Sequence, residues 1–247
     1  MNLKDIEFII KKIIPQDYLL KKRIERSIKK NYEKELKLVS KFADKTKDAL
    51  DIGVYRGIYS YQLSKNFKMV HSFEPNPLLF PYLDKNLKKI IENLNLYNLA
   101  LSDKDGETKL KIPVRSSSIF KSNIEELYKL GAASIHPNKT FNDFKEINVK
   151  KMKLDNINIG NKIGFIKIDV EGHEYEVIEG GKKTILENKP VLLIEIEKRH
   201  SNRSVDDSIN HINKLGYKSY YVKNNTLLSS DTLEDKSSEQ NYYFLPV

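Results

Sequence analysis

At 247 residues, 39% hydrophobic and 31% charged, the chain has enough material for one α/β domain with a full core plus a small appendage, and too much apolar content to be disordered. It has no cysteine, which excludes disulfides, thiolate metal sites and a cysteine nucleophile, and which fits a reducing, cytoplasmic setting. The net charge of +9 is nearly all lysine: the arginines are only Arg23, Arg26, Arg56, Arg115, Arg199 and Arg203, so the composition reads against DNA and disfavours RNA as partners.

The opening residues, Met1 to Phe8, lack a long uncharged run and a small-residue cleavage site, which reads against a signal peptide, and no stretch approaches the roughly 20 apolar residues that span a bilayer. Residues 1–46 read as a helical extension. Ile6, Ile9, Ile10, Ile13 and Ile14 recur at helical spacing before Pro15, and a second run follows with Leu19, Leu20, Ile24, Ile28, Tyr32 and Leu36. The polar face of that run carries Lys21, Lys22, Arg23, Arg26, Lys29 and Lys30. It reads as a cap with a wet basic face, with contact to an anionic membrane surface as the less favoured alternative.

From residue 47 to 247 the pattern becomes one domain of alternating strands and helices. Strands are expected at 49–52, 69–73, 94–101, 108–114, 147–154, 163–168, 190–196, 217–222 and 241–245, and helices at 58–65, 79–87, 175–187 and 205–215. Residues 115–145 break the rhythm and read as a lid or substrate-recognition insertion, opened by Arg115 and Ser116 to Ser118. Residues 229–240 are polar and read as a loop. Such alternation implies a mostly parallel sheet with helices on both faces, whose ligands sit beyond the carboxyl ends of the strands.

Those strand ends are acidic. Asp51, Glu74, Asp103, Asp169 and Glu195 or Glu197 close successive strands. The first turn, Gly53-Val54-Tyr55-Arg56-Gly57, lets backbone approach a ligand and opens a helix whose free N–H groups point at it. Glu74 lies 21 residues after Gly53 (74 − 53), at the end of the second strand, where an acid accepts both hydroxyls of a ribose. The turn lacks the middle glycine that admits a pyrophosphate, and no G-K-[ST] follows it, so nicotinamide and triphosphate ligands are disfavoured. S-adenosylmethionine suits these features best, with its ribose on Glu74 and its methionine end over Gly53, near Asp51 or Asp169.

Five ordered pieces carry a family resemblance: A-L-D-I-G-V-Y-R-G at 49–57, S-F-E-P-N-P at 72–77, A-L-S-D at 100–103, I-K-I-D-V-E-G-H-E at 166–174 and P-V-L-L-I-E-I-E at 190–197. With them the chain resembles the FkbM-type methyltransferases, a class I S-adenosylmethionine-dependent family. The resemblance implies a Rossmann-like sheet of seven strands, the last antiparallel, and methyl transfer to oxygen, often on sugars. It also implies that Asp51, Gly53, Glu74 and Asn76 hold the cofactor, that Ser102 and Asp103 lie near the adenine, and that Asp169 lies near the methionine end. Tyr55 and Gly57 belong to the same turn, where Tyr55 and Arg56 depart from the small or amide residues common in the family.

A hydroxyl acceptor must lose its proton. His173 is the first candidate base, because an unperturbed imidazole is largely neutral at working pH, with His200 and Asp169 behind it. Arg115, Ser117, Glu171 and Glu197 are the candidate acceptor contacts. A divalent metal held by Asp169, Glu195 or Glu197 and His200 is the less favoured alternative. The reading is therefore a methyltransferase acting on a sugar or glycan hydroxyl, with an RNA, small-molecule or lipid methyltransferase, or a scaffold that binds cofactor without turnover, as alternatives.

Overall fold

The structure is a computed structural model and describes residues 14–30, 33–113, 133–136, 144–197 and 203–247. The expected helix before Pro15, most of the 115–145 insertion and the segment holding His200 lie outside the described residues.

Helix α1 (Gln16–Lys29) starts directly after Pro15 and buries Leu20 and Ile24. A 3-10 segment (Lys34–Phe42) follows and buries Leu36, Leu38 and Val39. The domain then runs β1 (Asp48–Ile52), α2 (Ile58–Asn66), β2 (Val70–Phe73), α3 (Phe80–Ile90), β3 (Leu94–Tyr97), β4 (Ala100–Leu101), β5 (Gly106–Pro113), β6 (Phe144–Met152), β7 (Ile163–Ile168), α4 (Glu174–Gly180), α5 (Lys182–Asn188), β8 (Val191–Glu195), α6 (Val205–Asn213), β9 (Tyr217–Lys223), β10 (Thr226–Ser229) and β11 (Asn241–Pro246).

The main sheet has the order β10-β9-β11-β8-β7-β1-β2-β3. Strands β8, β7, β1, β2 and β3 are mutually parallel. Strand β11 is antiparallel to both β8 and β9. Every residue of β1 and β2 is buried, as expected where helices cover both faces of a parallel sheet. One core, with Leu20, Leu38, Leu63, Leu83, Phe165 and Tyr243, lies under α1, α2 and α3. The other, with Ile166, Ile178, Ile194, Ile209 and Tyr242, lies under α4 and α6. The chain lays β2 and β3 on one side of β1 and β7 and β8 on the other, so strand order reverses between β1 and β7. Ligands of such sheets bind at that crevice.

Three details differ from expectation. The sheet has eight strands rather than seven, because Asn224 and Asn225 both adopt positive φ (52° and 57°) and fold β10 back on β9 as a two-residue hairpin. The single strand expected over 94–101 is broken after Tyr97. Asn98 Nδ2 donates to the carbonyls of Glu74 (2.8 Å) and Pro75 (3.1 Å), and the chain leaves the main sheet to pair as β4 in a second sheet of order β4-β6-β5. Asp103 therefore follows a strand of the second sheet and is not on the main rim. The helix expected over 175–187 breaks between Gly180 and Gly181 into α4 and α5. A Cβ at Gly180 would stand 1.9 Å from the Ser102 carbonyl oxygen, so a residue without a side chain lets α4 close on the loop after β4. Among the described residues no helix is long and apolar enough to cross a membrane.

Candidate active site

Asp51 is fully buried, and its Oδ2 accepts a 2.5 Å hydrogen bond from Ser60 of α2. Ser60 Oγ also lies 2.9 Å from Ser72 Oγ of β2. Asp51 Oδ1 has no hydrogen-bond partner among the described residues. Burial pushes this carboxyl up to about 6, against the pull of the Lys167 charge and the Ser60 hydroxyl.

The turn after β1 is built around Gly53. Its φ is +89°, and a Cβ there would stand 1.8 Å from the Asp169 carbonyl oxygen, so the β1 and β7 loops touch backbone to backbone at the strand-order reversal. A Cβ at Gly57 would meet Leu87 of α3 at 2.6 Å, which explains the second glycine by packing. Tyr55 is held at φ 48°, and its N–H donates to Glu74 Oε2 at 3.1 Å. The Arg56 guanidinium stacks over the Tyr55 ring at 4.7 Å. The two residues that depart from the family's small turn thus cover each other, while the Tyr55 backbone fixes the acid of the next strand.

Glu74 Oε1 accepts the Asn76 N–H at 2.9 Å. Burial pushes the Glu74 carboxyl up to about 7, and the two backbone N–H groups work in the other direction. Each carboxylate oxygen holds one backbone donor and keeps capacity for another. Asn76 is fully buried; its Oδ1 accepts the Leu78 N–H at 3.0 Å, and its Nδ2 has no partner among the described residues.

At the end of β7, Lys167 Nζ donates to Asp169 Oδ2 at 2.6 Å. Beyond Asp169 the chain turns through Glu171 at φ 57°. Glu174 Oε1 holds this turn by accepting the N–H groups of Val170 (3.1 Å) and Gly172 (3.0 Å), and the Glu171 carbonyl accepts the Ser134 hydroxyl at 2.8 Å. The described part of the 115–145 insertion therefore rests on the β7–α4 turn. Glu197 is buried just after β8.

His173, the first candidate base, is buried, with Nε2 3.0 Å from Ser102 Oγ and Nδ1 3.5 Å from Glu176 Oε2. Ser102 Oγ also donates to Asp103 Oδ1 at 3.1 Å, and its N–H donates to the Met152 carbonyl. Burial lowers His173 to about 4, helped by His136, whose ring meets it edge-on at 6.5 Å. The imidazole is thus a neutral clasp between α4 and the loop after β4.

The structure brings Asp51, Gly53, Tyr55, Glu74, Asn76 and Asp169 together at the β1–β2–β7 ends, and joins Ser102, Asp103 and His173 beside them. His200, Arg115 and Ser117 lie outside the described residues. Among the described residues no three His, Cys, Asp or Glu side chains converge as a metal site. Sequence reasoning did not single out Lys167, Ser60 or Ser72. Lys167 had a signal, as the one charge inside the apolar run Ile163–Ile168.

A reversed parallel sheet with an antiparallel strand next to its fifth parallel strand, and acids beside a glycine turn at the reversal, define the class I methyltransferase fold. Residues 51–219 match the Methyltransferase FkbM domain, and the chain belongs to that family. The matched domain is a methyltransferase domain, and the cofactor that its sequence motifs imply is S-adenosylmethionine. A methyltransferase FkbM from Methylobacillus flagellatus KT shares 16% identity and a TM-score of 0.52; the match covers 81% of this chain and 44% of that one. This chain therefore spans under half the length of that protein, and at such identity the likeness shows the fold alone. An rRNA methylase from Streptococcus thermophilus shares 12% identity over 86% of this chain and 94% of its own, at a TM-score of 0.47. A SAM-dependent methyltransferase from Aquifex aeolicus shares 14% over 94% and 98%, at 0.44. No curated protein matches the chain by sequence.

The residues present fit the cofactor. A buried carboxylate oxygen on Asp51 and a buried amide nitrogen on Asn76 are unpartnered, and they offer the acceptor and donor that an ammonium and a hydroxyl-bearing nucleoside use. The contact at Gly53 leaves no room for a side chain between the β1 and β7 loops.

Proposed function

We propose that the chain transfers a methyl group to a hydroxyl of a sugar or glycan. The observation that carries this reading is the acidic rim at the ends of β7 and β8. Asp169, Glu171, Glu195 and Glu197 suit a neutral polyol, whose hydroxyls donate to the carboxylates and accept from the proton that Glu195 keeps, and the ionised members repel a phosphodiester chain. That charge argues against RNA more directly than the overall balance of +9 argues for it.

S-adenosylmethionine supplies a methyl on a positively charged sulfur. Glu74 would accept the ribose hydroxyls, Asn76 would donate beside it, Asp51 Oδ1 would take the ammonium, and the Gly53 turn would give the methionine end its bed. Ser102 and Asp103 border the adenine. His173 orients Ser102, and Asp169, at the end of β7, would be the group that takes the acceptor's proton. The Asp169 carboxylate would receive the hydroxyl proton of the acceptor as the acceptor oxygen takes up the methyl, so that no charge builds on that oxygen. Holding the acceptor oxygen in line accounts for most of the acceleration. Glu171 and Glu197, with Arg115 and Ser117 of the insertion, contact the acceptor, and the protein works in the cytoplasm on soluble or peripheral substrates.

Incubation with methyl-labelled cofactor and a panel of sugars, glycans and RNA tests the acceptor class. Label is expected in carbohydrate and stable to base, as a methyl ether is. Label in RNA alone would overturn the proposal.

A further inference from the structure

Lys167 is the side chain that the cofactor reading does not absorb. It sits in the interior of β7, 2% exposed, between Ile166 and Ile168. In the sheet register it lies directly beside Asp51. Its ammonium donates to Asp169 at 2.6 Å and lies 4.8 Å over the ring of Tyr59 from α2. Glu195 follows Ile194, the register partner of Ile168, so it stands beside Asp169 on the same face. The groups that face Lys167 are Asp51 from β1, Asp169 from its own strand end, Glu195 from β8, Tyr59 from α2 and Glu33 from the start of the 3-10 segment.

Three carboxyl groups on neighbouring strands cannot all ionise in a buried site without a cation among them. Removing a buried lysine and its carboxylate together in favour of apolar residues is often neutral or stabilising, so such a pair is a poor device for stability. Its effect lies in which acids are charged, and in where they point.

We propose that Lys167 is a positioning residue: it keeps Asp51 and Asp169 ionised and aimed into the crevice, so that they receive the positively charged end of S-adenosylmethionine. This rests on the cofactor reading of the same site. The charge balance agrees with it. Burial works against the Lys167 ammonium, but Asp169 and Asp51 outweigh it and hold the group above the ordinary lysine value. Burial, followed by the negative charge on Asp169, raises Glu195, which leaves Glu195 as the acid that keeps its proton.

Calorimetric titration of S-adenosylmethionine into wild type and Lys167→Met, from about pH 6.5 to about pH 9, tests this. Without the ammonium, the two carboxyls hold protons to higher pH. The ratio of variant to wild-type Kd is expected near tenfold at neutral pH and is expected to shrink toward about twofold at the alkaline end, as they ionise. Lys167→Arg, which restores the charge, is expected within about threefold of wild type throughout. A Met ratio of one, or a ratio constant with pH, would overturn the role. If Lys167→Met does not fold, carbon-detected titration of wild-type carboxyls decides instead. Asp169 is expected as carboxylate at pH 7, and a protonated Asp169 there would overturn the proposal. Wild type failing to bind the cofactor at all would instead sink the site reading on which the inference rests.

Discussion

Replacing Gly53 by alanine tests the backbone contact that joins the β1 and β7 loops. The new Cβ would stand 1.8 Å from the Asp169 carbonyl oxygen, where ordinary contacts begin near 3.4 Å, so one backbone segment must move by more than 1 Å. Overpacking of that kind costs about 1–3 kcal/mol. Holding alanine at φ +89° adds about 1 kcal/mol. The loss is therefore about 2–4 kcal/mol, which lowers Tm by about 5–15 °C in a chain of this size. Gly106→Ala is the matched control: its φ is +136°, but nothing lies within 4 Å of the added carbon, so only the backbone cost of about 1 kcal/mol applies. Urea unfolding gives both values, and calorimetry with S-adenosylmethionine adds the functional readout, since the displaced loop carries Asp169. Equal stability of the two alanine variants, or full cofactor affinity in Gly53→Ala, would refute the reasoning.

Glu74→Gln keeps the shape but loses one acceptor for the backbone donors or for the ribose, and should weaken cofactor binding about 10–100-fold. Because burial pushes Glu74 up to about 7, wild-type affinity should strengthen as pH rises through that value, while the Gln variant keeps only the Asp51 step near 6; a Gln profile with the wild-type slope through 7 would exclude Glu74 as the source. His173 is lowered to about 4 from an ordinary 6.5, so its neutral form contributes stability that is full above about 6.5 and lost as pH falls toward 4, with a ceiling of about 3 kcal/mol. His173→Asn removes that component. Its stability deficit against wild type, from urea unfolding, should narrow between about pH 7.5 and about pH 4.5, and an unchanged deficit would show that the imidazole does not titrate as described.

The parallel strands were legible because each is a short apolar run closed by an acid or a glycine, and the crevice followed from their alternation. The positions of Asp51 and Glu74 at the crevice were legible for the same reason, since they follow from spacing along the chain. What was not legible depends on contacts between distant segments. The pattern from Leu94 to Leu101 reads as one strand, and the break after Tyr97 is made by Asn98 reaching the carbonyls of Glu74 and Pro75. The partner of His173 is 71 residues away at Ser102, so the sequence shows a histidine in a turn but not the hydroxyl that holds it. Lys167 read as one polar position in a strand, because only the sheet register sets it beside Asp51.

Strand β11 enters the sheet between β8 and β9, both of which precede it in the chain. Its Tyr243 hydroxyl also donates to the Glu35 carbonyl at 2.8 Å, across a separation of 208 residues. During synthesis, β8 and β9 are therefore complete while the strand that joins them is still unmade, and each presents a bare edge of N–H and C=O groups. Closure waits for a contact that spans most of the chain, a pairing whose loop entropy makes it slow. The nascent chain therefore passes through a stage in which its parallel strands have all been made, the place between β8 and β9 is empty, and the 3-10 segment lacks its anchor on Tyr243.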